Sequence, residues 1–330
     1  MGFSISGRLL RITGVSLDPG TPVPDTTAPV WVTAAGSLSI LLEGQTADLQ
    51  VQATDAASYA VHSGSLPAGL ALNGTTGAIT GTASAVEAST EASFTIRTTD
   101  PHGNYADRSF TITIQDTDPH WASVVLYMPL SADTVDLKGS RTATRTGTFS
   151  FDNTRQLFGQ PSVKFTGNNY LSLPQSTDWN VAAQQTIEFW VYRDAAGNQD
   201  RVLSQYVNNT NRMYVGLHAA VNTSWLQYQG SVVFADTNIA TPAGSWQHVA
   251  FVKDGTTVRL FLNGVLKSTG TATTASWSAF ASPLDIGIDR FNSAPNEYSN
   301  MNLRELRITK GVARYTANFT PPAEPFPTTA

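Results

Sequence analysis

Residues 302–327 read NLRELRITKGVARYTANFTPPAEPFP. Leu303, Leu306 and Ile308 alternate with Arg304, Glu305 and Arg307, the makeup of a charged, edge-like strand. Gly311 follows as a turn, and Tyr315 and Phe319 can anchor a strap. The prolines beyond them cannot donate to a ladder, so this ending reads as a closing strand followed by a segment lying across a sheet.

Upstream, residues 118–330 continue in the same vein. Trp121 and the strand VVLYM (residues 124–128) come first, then the loop SADTVDLKGS (131–140). SVKFTGNNYLSLP (162–174), TIEFWVYRD (186–194), SWQHVAFVKDGTTVRLFLNGVLKSTG (245–270) and LDIGIDRF (284–291) follow. Asp254-Gly255 and Asn263-Gly264 sit between alternating runs, which signals two successive hairpins. The resulting meander should bury Val249, Phe251, Val258, Leu260, Leu262 and Val265. Trp179, Trp190 and Trp246 read as packing anchors, and His248 as a structural strand residue. No ten-residue amphipathic helix is legible, so the chain is expected to be all-β.

Taken in order, these blocks resemble the laminin-G-like, concanavalin A-like jelly-roll domains found in bacteriophage tail and virion proteins. The resemblance runs through most of residues 118–330 and implies a jelly-roll β-sandwich there. It also implies a setting, a virion surface reached after assembly in a host cytoplasm.

Residues 27–117 read as a separate Ig-like β-sandwich. Period-two alternation is clear at residues 48–52, 93–97 and 109–114, with turn signals at 42–44, 73–74 and 100–104. LPAGLALNGTTGAITGTAS (66–84) resembles the signature of a cadherin-like Ig family, with Ala83 where the family has proline. Leu70, Leu72 and Ile79 should point inward, while Gly77 and Gly81 allow tight turns. Residues 1–26 hold Leu9, Leu10, Ile12, Val15 and Leu17, then the stiff linker PGTPVPDTT. They read either as a disordered terminus or an extra strand on the next domain, or as an arm whose residues 1–20 dock the protein on other virion proteins.

Composition narrows the function. The net charge is −5 and no basic run is present, which argues against nucleic acid as a partner. No apolar run is long enough for membrane insertion. With no cysteine, disulfides, thiolate metal sites and a Cys nucleophile are excluded. The N-terminus has no basic start leading into an apolar core, so no signal peptide is expected. Only 14% of residues are charged, as in turn-rich exposed β proteins.

No catalytic group is expected. A retaining glycosidase needs two carboxyl groups about 5–5.5 Å apart, and Glu188 and Glu305 read as solitary. No GxSxG elbow occurs. The laminin-G resemblance implies calcium near the first loop and the closing strand, where Asp133, Asp136 and Glu305 lie. Arg304 stands where the family has an aspartate, and the same aspartates read equally as turn formers. Sugar sites combine aromatic faces with hydroxyl-satisfying amides. Asn211 with Tyr214, Trp225 with Tyr228, and Phe291, Asn292 and Tyr298 have that makeup. The expected protein is a non-enzymatic virion component, an accessory fibre or decoration in many copies, binding host or environmental glycans. The alternative is a purely structural decoration without a ligand.

Overall fold

The computed structural model describes residues 24–194, 199–208, 211–218, 224–228, 231–236, 242–272, 280–290 and 297–329. Among them, helix is confined to the two 3-10 turns Trp121–Ser123 and Thr177–Trp179. Among the described residues, no helix is long and apolar enough to cross a membrane. The chain divides into two units between Asp116 and Thr117, each with its own core.

In the first unit, Gly36–Leu42, Tyr105–Gln115, Thr90–Thr99 and Ser58–Gly64 form one sheet in that order, and Thr46–Gln50, Ala78–Thr82 and Leu70–Leu72 form a second. Gly36–Leu42 runs parallel to Tyr105–Gln115, and the other pairs are antiparallel. Phe94, Ile96, Phe110, Ile112 and Ile79 are fully buried between the layers, as the period-two pattern requires. Leu70 and Leu72 lie half-buried against this core. Gly81 has φ +130°, and a Cβ there would collide with the Gly69 carbonyl, so the two strands' approach depends on glycine.

The second unit is a two-sheet sandwich. The larger sheet runs Ser150–Leu157, Gln160–Lys164, Asn302–Lys310, Gln184–Tyr192, Trp246–Asp254, Thr257–Leu262 and Val265–Thr271, with Val124–Met128 also paired to Asn302–Lys310. The smaller runs Thr144–Thr146, Tyr170–Leu173, Leu284–Ile286, Gln199–Asn208, Asn211–His218, Ser224–Tyr228 and Ser231–Asp236. Phe165, Trp179, Phe189, Leu203, Val215, Leu260 and Ile286 are among the side chains filling the space between them. Both hairpins of the meander form, and Asn263 and Gly264 both have positive φ, as a tight two-residue turn demands. Val265 is an exception to the expected burial. It begins the strand at the sheet edge and is 44% exposed.

The closing strand is the main correction. Asn302–Lys310 is central, not an edge: Gln184–Tyr192 pairs one side, and Val124–Met128 and Gln160–Lys164 pair the other. Residues 302–309 are all buried. A bulge makes this possible. Between Arg304 and Arg307 the strand carries one residue more than the facing Glu188–Trp190 step, and Glu305 takes φ +53°. Leu303, Leu306 and Ile308 therefore all reach the inter-sheet core, while Arg304 and Arg307 face outward.

The strap that follows covers those charges. Arg314 N–H donates to Thr186 Oγ1, Phe319 N–H to the Gly264 carbonyl and Phe326 N–H to Glu305 Oε2. Tyr315 and Phe319 stack at 3.6 Å against Phe261, and Phe326 packs on Tyr127 and on the Arg307 guanidinium.

Candidate functional site

Two polar regions of the sandwich were candidates, and their chemistry differs. The first lies under the strap. Glu188 is fully buried and faces Arg307 across the strand pair, with Nε 2.9 Å from Oε1. The Tyr315 hydroxyl donates to its other oxygen at 2.8 Å, and His248 Nε2 stands 3.4 Å away. Asp118 accepts from Arg307 at 2.9 Å and from two nitrogens of Arg314. Burial alone would raise the Glu188 carboxyl, but Arg307, His248 and Arg314 outweigh it and hold it well below the usual range. Burial, followed by the Glu188 charge, pushes the Tyr315 hydroxyl up. This is a buried, charge-balanced lock between sheet and strap.

Glu305 belongs to the same face. Its carboxylate accepts from Arg304 Nη2 at 2.7 Å, from the Tyr127 hydroxyl at 2.6 Å and from Phe326 N–H at 3.1 Å. Arg304 spends its remaining nitrogens on the carbonyls of Pro129, Leu157 and Pro161. Glu188 and Glu305 are thus not solitary, as the sequence suggested, but neutralised by arginines.

The expected calcium ligands fare similarly. Asp136 is buried, and its oxygens accept from the amides of Tyr127, Lys138 and Gly139 and from Arg141 Nε at 2.8 Å. Asp133 is exposed and caps the Val135 amide at 3.1 Å. Asp133, Asp136 and Glu305 do not converge within 4.8 Å, and guanidinium groups already fill the cationic role beside two of them. These residues do not fit a calcium site. Among the described residues, Asp25, Asp100 and His102 do converge within 4.8 Å. Asp100 there serves a turn, accepting from the His102 and Asn104 amides.

The second region lies on the outer face of the smaller sheet. Ser172, Asp285, Ser204 and Tyr214 form one cross-strand row, pointing away from the core side chains Leu171, Ile286, Leu203 and Val215. Tyr214, a candidate aromatic face for a sugar, lies within the strand Asn211–His218. It is 3% exposed, with the Arg201 and Arg212 guanidinium carbons 4.6 Å and 5.3 Å from its ring. Arg212 also pairs with Asp289 at 3.0 Å. Asn211 opens the strand Asn211–His218, half-buried and paired with Asn208.

Tyr170, two residues from Ser172 along the same strand, shares that face. Tyr170 and Tyr298 are both half-buried, and their rings lie 6.4 Å apart at 46°. Arg290 stands over Tyr170, its guanidinium carbon 4.9 Å from the ring centroid. Nε and Nη2 bind Asp285 at 2.5 and 3.3 Å, and Nη2 donates to the Tyr170 hydroxyl at 3.2 Å. Tyr298 was expected at such a site from the sequence. Arg290 opens the same stretch of sequence, but Tyr170 and Asp285 were not expected there, and the pairing of Tyr170–Leu173 with Leu284–Ile286 brings them beside it. The side chains of Trp225 and Tyr228, together with Phe291, Asn292 and residues 1–20, fall outside the described residues.

Comparison with known families accords with both architectures. Residues 165–313 match the "Concanavalin A-like lectin/glucanases superfamily", and residues 21–115 match "Putative Ig domain". The chain joins an Ig-like domain to a concanavalin A-like jelly-roll domain. No curated protein matches the chain by sequence. Among solved structures, the jelly-roll domain is similar to domain 4 of AbnA, an extracellular arabinanase of Geobacillus stearothermophilus solved with arabinotriose. The TM-score is 0.46 at 18% identity, over 57% of this chain and 93% of that one. It is also similar to botulinum neurotoxin type C, whose cell entry depends on two ganglioside molecules: TM-score 0.44, 14% identity, 58% of this chain and 48% of that one. A third is the botulinum neurotoxin DC binding domain in complex with rat synaptotagmin II: TM-score 0.43, 15% identity, 57% and 48%. The match spans nearly all of the arabinanase domain but about half of each neurotoxin chain.

Proposed function

We propose that this chain is a non-enzymatic adhesion protein whose jelly-roll domain binds glycans on the outer face of its smaller sheet. The observation that carries the reading is the Tyr170–Tyr298 pair, two partly exposed rings beside a fixed guanidinium. Aromatic faces cover the apolar side of a pyranose, and the guanidinium supplies directional hydrogen bonds. The family match to lectins and glucanases supports a carbohydrate ligand. Binding without hydrolysis is favoured because Glu188 and Glu305 are buried and engaged by arginines, leaving neither as an acid–base partner for a sugar.

Display in many copies would convert weak single sites into avidity. The setting we propose, a virion surface reached through residues 1–20, is supported by the sequence resemblance of residues 302–327 to phage domains.

The test is a glycan array probed with the multimerised full-length protein. Selective binding that is lost in Tyr298→Ala, with an unchanged thermal transition, is the expected result. A well-folded wild-type protein that binds nothing on an array including bacterial cell-surface polysaccharides would transfer the weight to a purely structural decoration.

A further inference from the structure

The chain contains two Asn-Gly pairs, Asn73-Gly74 and Asn263-Gly264, and the fold sets them in opposite situations. In such a pair the glycine amide nitrogen can attack the asparagine side-chain carbonyl, because glycine has no Cβ to obstruct the approach. The reaction needs a free attacking nitrogen, a leaving amide group that nothing holds, and donors at the oxygen that gains charge.

Asn73-Gly74 meets all three needs. Both residues are exposed, in the turn between Leu70–Leu72 and Ala78–Thr82. The Asn73 backbone is pinned: its N–H donates to the Ala78 carbonyl at 2.7 Å, and its carbonyl accepts from Gly77 N–H at 2.9 Å. Asn73 Oδ1 accepts from the Thr75 and Thr76 amides, both at 3.0 Å. Those two donors sit at the atom that becomes an oxyanion on attack. Asn73 Nδ2 and Gly74 N–H make no hydrogen bond among the described residues.

Asn263-Gly264 is held where Asn73-Gly74 is free. Asn263 Oδ1 also accepts a backbone amide, from His248 at 2.9 Å, but Nδ2 donates to Gln247 Oε1 at 2.7 Å, so the leaving group is tied down. Gly264 is buried, its carbonyl accepts from Phe319 N–H, and a Cβ there would collide with the Phe319 carbonyl. Turning its peptide toward the Asn263 side chain would unseat the strap.

We propose that Asn73 is a self-modification site of the Ig-like unit, converted through a succinimide to aspartate and isoaspartate, and that Asn263 is protected. Hydroxide takes the Gly74 N–H proton, and the nitrogen forms a bond to Asn73 Cγ. The Cγ–Nδ2 bond then breaks, and ammonia leaves with a proton taken from water, which regenerates hydroxide. Water opens the five-membered ring at Cγ to give aspartate, or at the backbone carbonyl to give isoaspartate. Water is the only co-reactant, and each event adds one negative charge to the unit.

The experiment ages the full-length protein in neutral to mildly alkaline buffer, beside a sample held in denaturant. Both are digested under mildly acidic conditions and mapped by mass spectrometry, with isoaspartyl peptides separated chromatographically. In the native protein Asn73 should convert about tenfold faster than Asn263, the factor set by the hydrogen bond that Asn263 Nδ2 must surrender. In denaturant the two should convert at similar rates. The Asn73 rate should rise about tenfold per pH unit, following the deprotonated amide. Gly74 lies outside the positive-φ region, so Gly74→Ala should fold, as a thermal melt would verify, and should convert at least about tenfold more slowly at Asn73.

Equal native rates at the two sites, a faster Asn263, or an Asn73 that stays intact while the denatured chain reacts would overturn the proposal. An undiminished rate in Gly74→Ala would overturn it as well, since water would then be attacking Cγ directly.

Discussion

Replacing Glu188 by glutamine keeps the volume and removes one buried negative charge. In the wild type, Glu188 and Asp118 balance Arg307 and Arg314 beneath the strap, and all four side chains are less than a tenth exposed. The variant leaves two guanidinium groups facing one carboxylate. Removing one partner from a buried pair costs about 3–5 kcal/mol, because the remaining charge stays desolvated. For a unit of this size, one kcal/mol moves the midpoint by roughly 2–4 °C, so the jelly-roll transition should fall by roughly 6–20 °C. Differential scanning calorimetry on the full chain would read this, with the Ig-like transition as an internal reference. Arg155→Ala breaks an ion pair of similar length, but its side chains are 35% and 43% exposed, and solvent screens it. No shift is expected there. Equal behaviour of Glu188→Gln and Arg155→Ala would refute the lock, since the contrast depends only on burial.

The same carboxylates set the response to acid. Burial opposes the lowering of Asp118, but Arg314 and Arg307 overcome it, and Glu188 is lowered likewise. Groups depressed in the folded state contribute stability that is complete above their unfolded range near about 4 and lost as pH falls through their folded values. The jelly-roll midpoint should therefore hold from neutral to about pH 5 and drop below it, less steeply in Glu188→Gln; parallel pH profiles would contradict this. Phe326 is 3% exposed and seated on Arg307 and Tyr127, so Phe326→Ala should cost about 3–5 kcal/mol in chemical denaturation. A loss below about 1 kcal/mol would mean the strap is not part of the core. Gly81→Ala should lower the Ig-like transition alone, by about 1–3 kcal/mol, because its backbone has positive φ and the added Cβ meets the Gly69 carbonyl. A shift in both transitions would point to coupling between the units.

The local pattern of this chain determined a good deal. Alternation at residues 93–97 and 109–114 put Phe94, Ile96, Phe110, Ile112 and Ile114 in the first core, because a strand's two faces follow directly from its period. Asn263-Gly264 named its hairpin because few other residue pairs take positive φ twice in succession. The proline-rich ending declared a segment outside the ladders for want of N–H donors.

Partnership across distance is what only the tertiary structure decided. The charges in LRELRI read as an edge, since exposed strands usually carry them. The strand is central because Glu188, Asp118 and the strap supply counter-charges and cover, none of which lies next to it in sequence. The bulge at Glu305 reset which residues face the core, and strict alternation has no means of showing an inserted residue. Tyr298 and Arg290 were legible in one stretch of polar and aromatic residues, whereas Tyr170 became their companion through sheet order alone. A strand's period is fixed by its own backbone geometry; its neighbours are fixed by the packing of the whole chain.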